Sequence, residues 1–520
     1  MGNGVIKTII LGIILVVMAF VLGSLASDGT KSPLMIIGAF CGLCCLVYLG
    51  KRCWCLLYIL PPVLSFLELP LLSRVPISYI LAFVILAYWL VLWAMGYVRI
   101  TWNGVAWMDC IVLVAFLYMA VSYYRHPVSI AALGLDVDEV GGEAYFFAAT
   151  AAVYYVTLSL IPLTMKEVLK TLKLSYHIIF VLAFLGLLVS LSDKGVVANM
   201  GSAMEEGRYG LFSGVANFIS TSLFCAYPLT LILTSPWRLF ALMFAYVGCA
   251  LCGFRSVFMG MLVPQVVMCF IWKQLRYLLL LGGLGYAVLY YAGQERVLDS
   301  LPFGIQRSLS AIPGVRVDPY VANDARHSTE WRKQLWRWAL DPRTGYIKDY
   351  VWGDGFAQSL TEIKRESIHD WRPSMKKYDK TLFFAERGVW HSAPIVWIHR
   401  LGIVGLVVMT ICSFAGCLLL LRIFWVVRYM KGGFFIMYFT VGYITAVAMN
   451  ILAVGDGKII FGLFTTITMI KVVYSLMQKE GLMPPMFMRR IYVPMAVREH
   501  EEEMLAKRQR PVFLPRKGEM

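Results

Sequence analysis

Four cationic or titratable side chains could take part in chemistry at a membrane surface. They are Arg208, Arg255, Arg332 and His391. Three stand at the ends of apolar stretches, and Arg332 stands in an amphipathic stretch of a long polar segment. A guanidinium group matches phosphate oxygens through paired hydrogen bonds, and a neutral imidazole can accept a proton from a hydroxyl group. The set is therefore consistent with a phosphate or diphosphate site beside a hydroxyl acceptor.

Further polar side chains accompany these four. Arg387, His399 and Arg400 surround His391 in "AERGVWHSAPIVWIHRLG", and Asn217 stands in the arginine-containing stretch "EEGRYGLFSGVANF". His399 and Arg400 could extend a polar pocket, or pair with a buried acid. A second interpretation stays open for every member of the set, because an arginine at a helix end often reaches toward lipid headgroups and a histidine before a span can be an interfacial residue.

The composition predicts a polytopic membrane protein. Of 520 residues, 59% are hydrophobic and 15% are charged, whereas soluble domains contain about 25% charged residues. In a membrane protein, the net charge of +16 indicates cytoplasmic loops rich in lysine and arginine rather than a nucleic-acid-binding surface. None of the 12 cysteines falls in 293–392, which excludes a disulfide framework in that long polar segment.

A bilayer core requires about 20 apolar residues per helix. The sequence predicts an all-α protein with about 14 such spans, at 6–23, 33–49, 54–71, 78–96, 107–123, 144–164, 177–192, 211–233, 237–252, 255–272, 276–292, 393–421, 433–452 and 457–477. The chain is thereby divided into N-terminal transmembrane helices (1–292), a large loop (293–392), C-terminal transmembrane helices (393–477) and a basic tail (478–520).

Lysine and arginine in the short loops predict the orientation. They concentrate in alternate loops and in the tail, and the positive-inside rule puts those loops and both termini in the cytoplasm. The segment 293–392 then lies on the outer side. The stretch Thr329–Leu340 in it predicts an amphipathic helix that a "DPRTG" turn ends. Asp349 and Asp354 are predicted to be turn residues, so no metal site is expected.

Four motifs together resemble one protein family. "RYGLF" (208–212) followed by Asn217, "FRS" (254–256), "TEWRKQLWRWAL" with "VWGDGF" (351–356), and "HSAPIVWIHRLGIVG" (391–405) are similar in kind and order to motifs of bacterial O-antigen ligases and polymerases. The match covers about 200–405. Three positions depart from the family pattern: Ser392 replaces an asparagine, Ser256 replaces a glycine, and Pro394 stands where the family usually has a plain helix start.

The resemblance implies a glycosyltransferase of cell-envelope polysaccharide or lipopolysaccharide biosynthesis. Such an enzyme works at the periplasmic face of the bacterial inner membrane, without a cofactor or a metal. Its donor is a glycan on undecaprenyl diphosphate, and its acceptor is a hydroxyl of lipid A-core, of another glycan or of a protein. By this resemblance Arg208, Arg255 and Arg332 bind the diphosphate, and His391 activates the acceptor. Asn217, Arg387, His399 and Arg400 would support them.

Two other classes of protein remain as alternatives. A transporter or flippase of lipid-linked sugars would also have many spans and outward arginines. It is disfavoured by the single long loop, by the lack of a visible internal repeat and by the scarcity of membrane acids, of which Asp109 and Asp456 are the main ones. A structural scaffold would leave the arginine and histidine grouping unexplained. A substitution of His391 separates these alternatives, because only a transferase needs a proton acceptor there.

Overall fold

A computed structural model describes most of the chain. The described residues are 48–59, 77–128, 139–140, 143–191, 212–251, 255–310, 312–356, 358–359, 390–452 and 459–483. The predicted spans at 6–23 and 33–49, most of the span at 54–71 and most of the tail lie outside them. Two compact units divide the chain, Met1–Ile100 and Thr101–Met520.

The described structure is helical. The first unit contains a 3-10 helix at Gly50–Cys55 and α1 at Ile77–Ala94. The second unit contains the remaining helices, which are α2 (Ala106–Arg125), α3 (Glu143–Leu160), α4 (Met165–Leu191), α5 (Phe212–Ala226), α6 (Leu229–Leu233), α7 (Pro236–Leu251), α8 (Arg255–Ile271), α9 (Leu275–Gln294), α10 (Phe303–Leu309), α11 (Pro319–Leu340), α12 (Ala393–Val427), α13 (Gly433–Leu452) and α14 (Ile459–Lys479). Short 3-10 helices lie at Val297–Ser300 and Pro342–Thr344.

One small β-ladder interrupts this helical architecture. Strand β1 (Glu139–Val140) pairs antiparallel with β2 (Gln358–Ser359), so that Glu139 faces Ser359. The ladder ties the segment after α2 to the loop that follows α11.

Five of the described helices are long and apolar enough to cross a membrane. They are α2, Met165–Leu185 of α4, α9, α12 and Gly433–Asn450 of α13. Five further apolar helices are shorter, at Leu81–Ala94, Ala144–Leu160, Gly214–Ala226, Pro236–Ala250 and Val257–Ile271. The exposed side chains of α9 are mostly leucine, valine and tyrosine, as a lipid-facing surface requires. The architecture is that of a helical membrane protein.

Four predicted elements differ from the structure. The helix α4 of the predicted span 177–192 begins twelve residues earlier, at Met165. The predicted span 211–233 is two helices, because Pro228 takes an extended conformation between α5 and α6 and cannot donate a backbone hydrogen bond there. The amphipathic helix begins ten residues earlier than predicted, at Pro319, where the carboxylate of Asp318 accepts a hydrogen bond from Tyr320 N at 2.8 Å. The helix α12 extends to Val427 and is interrupted at Gly402.

A buried ion pair joins three helices of the second unit. Lys471 Nζ of α14 lies 3.0 Å from Asp109 Oδ1 of α2 and 2.5 Å from Ser159 Oγ of α3. Asp109 also accepts hydrogen bonds from the Tyr155 hydroxyl and, at 3.1 Å, from Trp102 Nε1. The Lys471 side chain is fully buried, so its charge is compensated entirely within the protein.

Candidate functional site

The amphipathic helix α11 packs against the start of α12 through an aromatic core. Its buried members are Leu335, Ala339, Ile347, Trp390, Ile395 and Val396, with Trp331, Trp336 and Trp338 partly buried around them. Trp336 Nε1 donates to the carbonyl oxygen of Trp390 at 2.7 Å. This hydrogen bond fixes the middle of α11 beside the residue that precedes His391. The burial of Leu335 and Ala339 confirms the predicted apolar face of α11.

His391 and Arg332 meet at the indole ring of Trp331. The imidazole centroid lies 5.4 Å from the Trp331 ring, edge to face, and Arg332 Cζ lies 5.5 Å from the same ring. His391 has a positive φ of 50° just before the helix α12 begins. Two residues that the sequence analysis selected, 59 positions apart, thus share one aromatic side chain.

The charge of Arg332 faces no acid within the described part of the chain. The residue is half-buried, and none of the described carboxylates forms an ion pair with it. Burial lowers the pKa of Arg332, and the nearby positive charge of Arg307 lowers it further. Such a guanidinium group is suited to an anionic ligand, because an anion would restore the electrostatic stabilisation that burial removes.

Arg307 is a candidate residue that the sequence analysis missed. It lies buried in the short helix α10, and its Nε donates to Asp324 Oδ2 at 2.6 Å. Arg307, which pairs with Asp324, and Arg332 thus bring two positive charges close to each other. The signal in the sequence was weak. Apolar Ile305 and Leu309 are four positions apart, which is a helical spacing, but they stand within a long segment rich in polar residues.

His399 and Arg400 are buried and support the loop before α12. His399 Nδ1 accepts a hydrogen bond from Trp390 Nε1 at 3.0 Å, and His399 Nε2 lies 3.5 Å from Asp354 Oδ2. Arg400 donates to the carbonyl oxygen of Gly355 at 3.3 Å. Of the two interpretations that the sequence left open, contact with an acid describes His399, although Asp354 is only partly buried.

The loop 350–355 pairs with α12 where that helix is interrupted. Asp354 N and Gly355 N donate to the carbonyl oxygens of His399 and Arg400 at 2.8 and 3.0 Å. Ile403 N donates to Tyr350 O at 2.8 Å in the opposite direction. These bonds replace helical hydrogen bonds that are lost at the break. The motif "VWGDGF" therefore lies directly against the motif that begins at His391.

Asp349 and Asp354 are turn residues, as predicted. Asp349 Oδ1 accepts from the backbone N–H groups of Val351 and Trp352 at 3.0 and 2.9 Å, and Asp349 Oδ2 pairs with Arg125 at 3.0 Å. The hydrogen bond from Trp352 N, and then the Arg125 bond, hold the pKa of Asp349 below its ordinary value. The Asp354 carboxylate accepts from two backbone N–H groups. Among the described residues, no three His, Cys, Asp or Glu side chains are grouped as metal ligands.

The other predicted residues are distributed around this centre or lie outside the described residues. Arg255 is the first residue of α8, at the end of the bundle against which α10 packs. Ser308 Oγ of α10 donates to Ala250 O near the end of α7, at 3.3 Å. Asn217 is half-buried on α5, which packs against both α7 and α8. Arg208, Arg387 and the side chain of Arg255 are outside the described part of the chain.

Comparison with protein-family models and with curated proteins found no match to this chain. The similarity to O-antigen ligases and polymerases therefore depends on the four sequence motifs alone. It stays a prediction.

Proposed function

We propose that this protein transfers a glycan from undecaprenyl diphosphate to a hydroxyl acceptor at the membrane surface. The observation that carries the proposal is the meeting of Arg332 and His391 at Trp331, with Arg307 adding a second cation near Arg332. A cationic place for a diphosphate thereby lies beside a group that can accept a proton. Apolar helices below this place would accommodate the lipid chain of the donor.

The proposed reaction is a single inverting displacement. The acceptor oxygen attacks the anomeric carbon while the bond from that carbon to the diphosphate breaks. His391 takes the proton of the hydroxyl group, and the electron pair of the broken bond leaves with the diphosphate. Arg332 and Arg307 stabilise the negative charge that grows on this leaving group, with Arg208 and Arg255 added by the family resemblance. No metal and no covalent intermediate take part in this proposal.

The competing function is transport of a lipid-linked sugar. A proton-coupled transporter needs a membrane acid that can change its charge state. Among the described residues, Asp109 is the acid that the sequence offered for this role, and Lys471, Tyr155 and Trp102 all donate to it. Asp109 is thus held by three donors, and Asp456, the other acid of this kind, lies outside the described residues.

A reconstituted transfer assay tests the proposal. Purified full-length protein would receive a radiolabelled undecaprenyl-diphosphate oligosaccharide and candidate acceptors in the presence of EDTA. We expect His391→Ala to lower the rate about 10²- to 10⁴-fold, as loss of a general base does. For Arg332→Gln we expect a loss of about 10²-fold or more, as for removal of one transition-state donor.

Two neighbouring substitutions serve as matched controls. His327 and Lys333 lie exposed on the same helix α11, so His327→Ala and Lys333→Gln should retain the parent rate. The size of the product separates ligation from polymerisation. Equal rates for His391→Ala and His327→Ala would refute the role of His391, and sugar movement across liposomes without any transfer would favour the transporter.

A further inference from the structure

A second cationic cluster lies at the opposite end of the bundle, where α8 and α12 end. It consists of Lys273, Arg428 and the aromatic residues Trp425, Tyr429 and Phe270. Arg428 Cζ lies 4.4 Å from the ring centroids of both Trp425 and Tyr429, and Lys273 Nζ lies 5.8 Å from the Trp425 ring. Phe270 packs edge-to-face on Trp425 at 5.9 Å. Two cations therefore share one indole ring.

The charges of this cluster are only partly compensated. Arg428 donates through Nη1 to Ile271 O, the last carbonyl of α8, while its Nε is enclosed and meets no hydrogen-bond acceptor among the described residues. None of the described carboxylates forms an ion pair with Arg428 or Lys273. A half-buried guanidinium group whose charge no described carboxylate compensates is suited to bind an anion.

The surroundings identify the anion as a membrane component. Trp425 and Phe270 belong to apolar helices, and tryptophan beside lysine and arginine at helix ends is typical of the level of lipid headgroups. Lys273 is exposed and has a positive φ of 57° in the turn between α8 and α9. The neighbouring turn at Gly432 packs near Leu169 of α4, a helix whose first turns carry Lys166, Lys170 and Lys173. More positive charge is thus present at the same end.

We propose that Lys273, Arg428 and Trp425 form a binding site for the phosphate headgroup of an anionic phospholipid. The phosphate would accept hydrogen bonds from Nη2 of the half-buried Arg428 guanidinium group and from the Lys273 ammonium group, while the acyl chains would lie along Phe270 and Trp425. The site is distinct from the one at His391. It does not depend on the proposed transfer reaction.

Lipid titration of the delipidated full-length protein, followed by native mass spectrometry, tests this site. The probes would be phosphatidylglycerol, neutral phosphatidylcholine and inorganic phosphate. We expect Lys273→Gln and Arg428→Gln each to weaken phosphatidylglycerol binding about fivefold, the effect typical of one cation near an anionic membrane surface. Phosphatidylcholine should bind weakly to every variant.

Arg238→Gln is the matched control. Arg238 lies at the same end of the bundle, 3.9 Å from the Tyr227 ring, and donates to Leu231 O at 3.0 Å, but it is not part of the cluster. It should bind phosphatidylglycerol as the parent does. Because Lys273 is exposed, its substitution leaves folding intact, so equal affinity of Lys273→Gln and Arg238→Gln would overturn the proposal. Displacement of the lipid by inorganic phosphate would overturn the assignment to a lipid.

Discussion

Gly402 determines how closely the loop 350–355 approaches α12. Its φ is +68°, and a Cβ atom at this position would lie 2.1 Å from Val351 O. Gly353, at φ +83°, faces it, and a Cβ there would lie 2.4 Å from Gly402 N. Two backbones are therefore in direct contact, and neither glycine leaves room for a side chain. The arrangement of Trp390, and hence of His391 beside it, depends on this contact.

Replacement of Gly402 by alanine should destabilise the protein. The new methyl group would force the backbones apart, and overpacking alone costs about 1 to 3 kcal/mol, with further strain from the left-handed conformation. The apparent melting temperature in detergent, measured by circular dichroism, should fall. Gly442→Ala in α13 is the control, because nothing lies within 4 Å of a Cβ there. Equal melting temperatures for the two variants would contradict this account.

At the scale of elements, the Lys471–Asp109 pair joins α14 to α2. Lys471 also lies 3.7 Å from the Tyr155 ring of α3 and 4.9 Å from the Trp102 ring. These contacts hold three helices at one polar point within an apolar bundle. At the end of α14, Lys479 Nζ donates a further hydrogen bond to Asn103 Oδ1, just before α2, at 2.7 Å. The pair therefore fixes the register of α14 against its neighbours.

Breaking this pair on one side should cost more than removing it entirely. Asp109→Asn and Lys471→Met would each leave one buried charge without its partner, a loss of about 3 to 5 kcal/mol. The double variant removes both charges and should be clearly more stable than the sum of the two single effects predicts. A double-mutant cycle of denaturant unfolding in detergent measures this coupling. Additive single effects would show that the two side chains do not act as a pair.

At the scale of the whole molecule, the two ends of the helix bundle in Thr101–Met520 carry different sets of polar contacts. At one end, Arg125 pairs with Asp349 and α10 reaches α7, next to the candidate site. At the other end, Met165 N donates to Glu480 Oε1 and Arg428 contacts Ile271 O. Arg332 with His391 and the Lys273–Arg428 cluster therefore lie at opposite ends of the bundle.

This arrangement predicts that the two ends lie on opposite sides of the membrane. Tyr320 at the start of α11 is 76% exposed, and Lys431 is exposed at the other end. In a cysteine-free background, Tyr320→Cys should react in intact spheroplasts with a maleimide that cannot cross membranes. Lys431→Cys should react only after permeabilisation, since the positive-inside rule puts its loop in the cytoplasm. The reverse pattern would invert the predicted topology.

Much of the local structure followed from the sequence alone. Hydropathy predicted α2, α9 and α13 to within about three residues at each end, because an apolar run of about 20 residues has few alternatives to a helix in lipid. Periodicity predicted the apolar face of α11, and side-chain chemistry predicted the turns at Asp349 and Asp354. Residue type and location also indicated His391 and Arg332 as site residues, although not their shared contact with Trp331.

Only the tertiary structure decided which of these residues meet. Arg400 and Gly355 are 45 positions apart in the chain, and their hydrogen bonds at the Gly402 break have no local signature. The same is true of Arg307, which the packing of α10 on the helix ends brings near Arg332, and of His399, which packing turns inward toward Trp390 and Asp354. Hydropathy and periodicity report the surroundings of one segment at a time. Contacts between distant segments depend on how those segments pack, which no local pattern encodes.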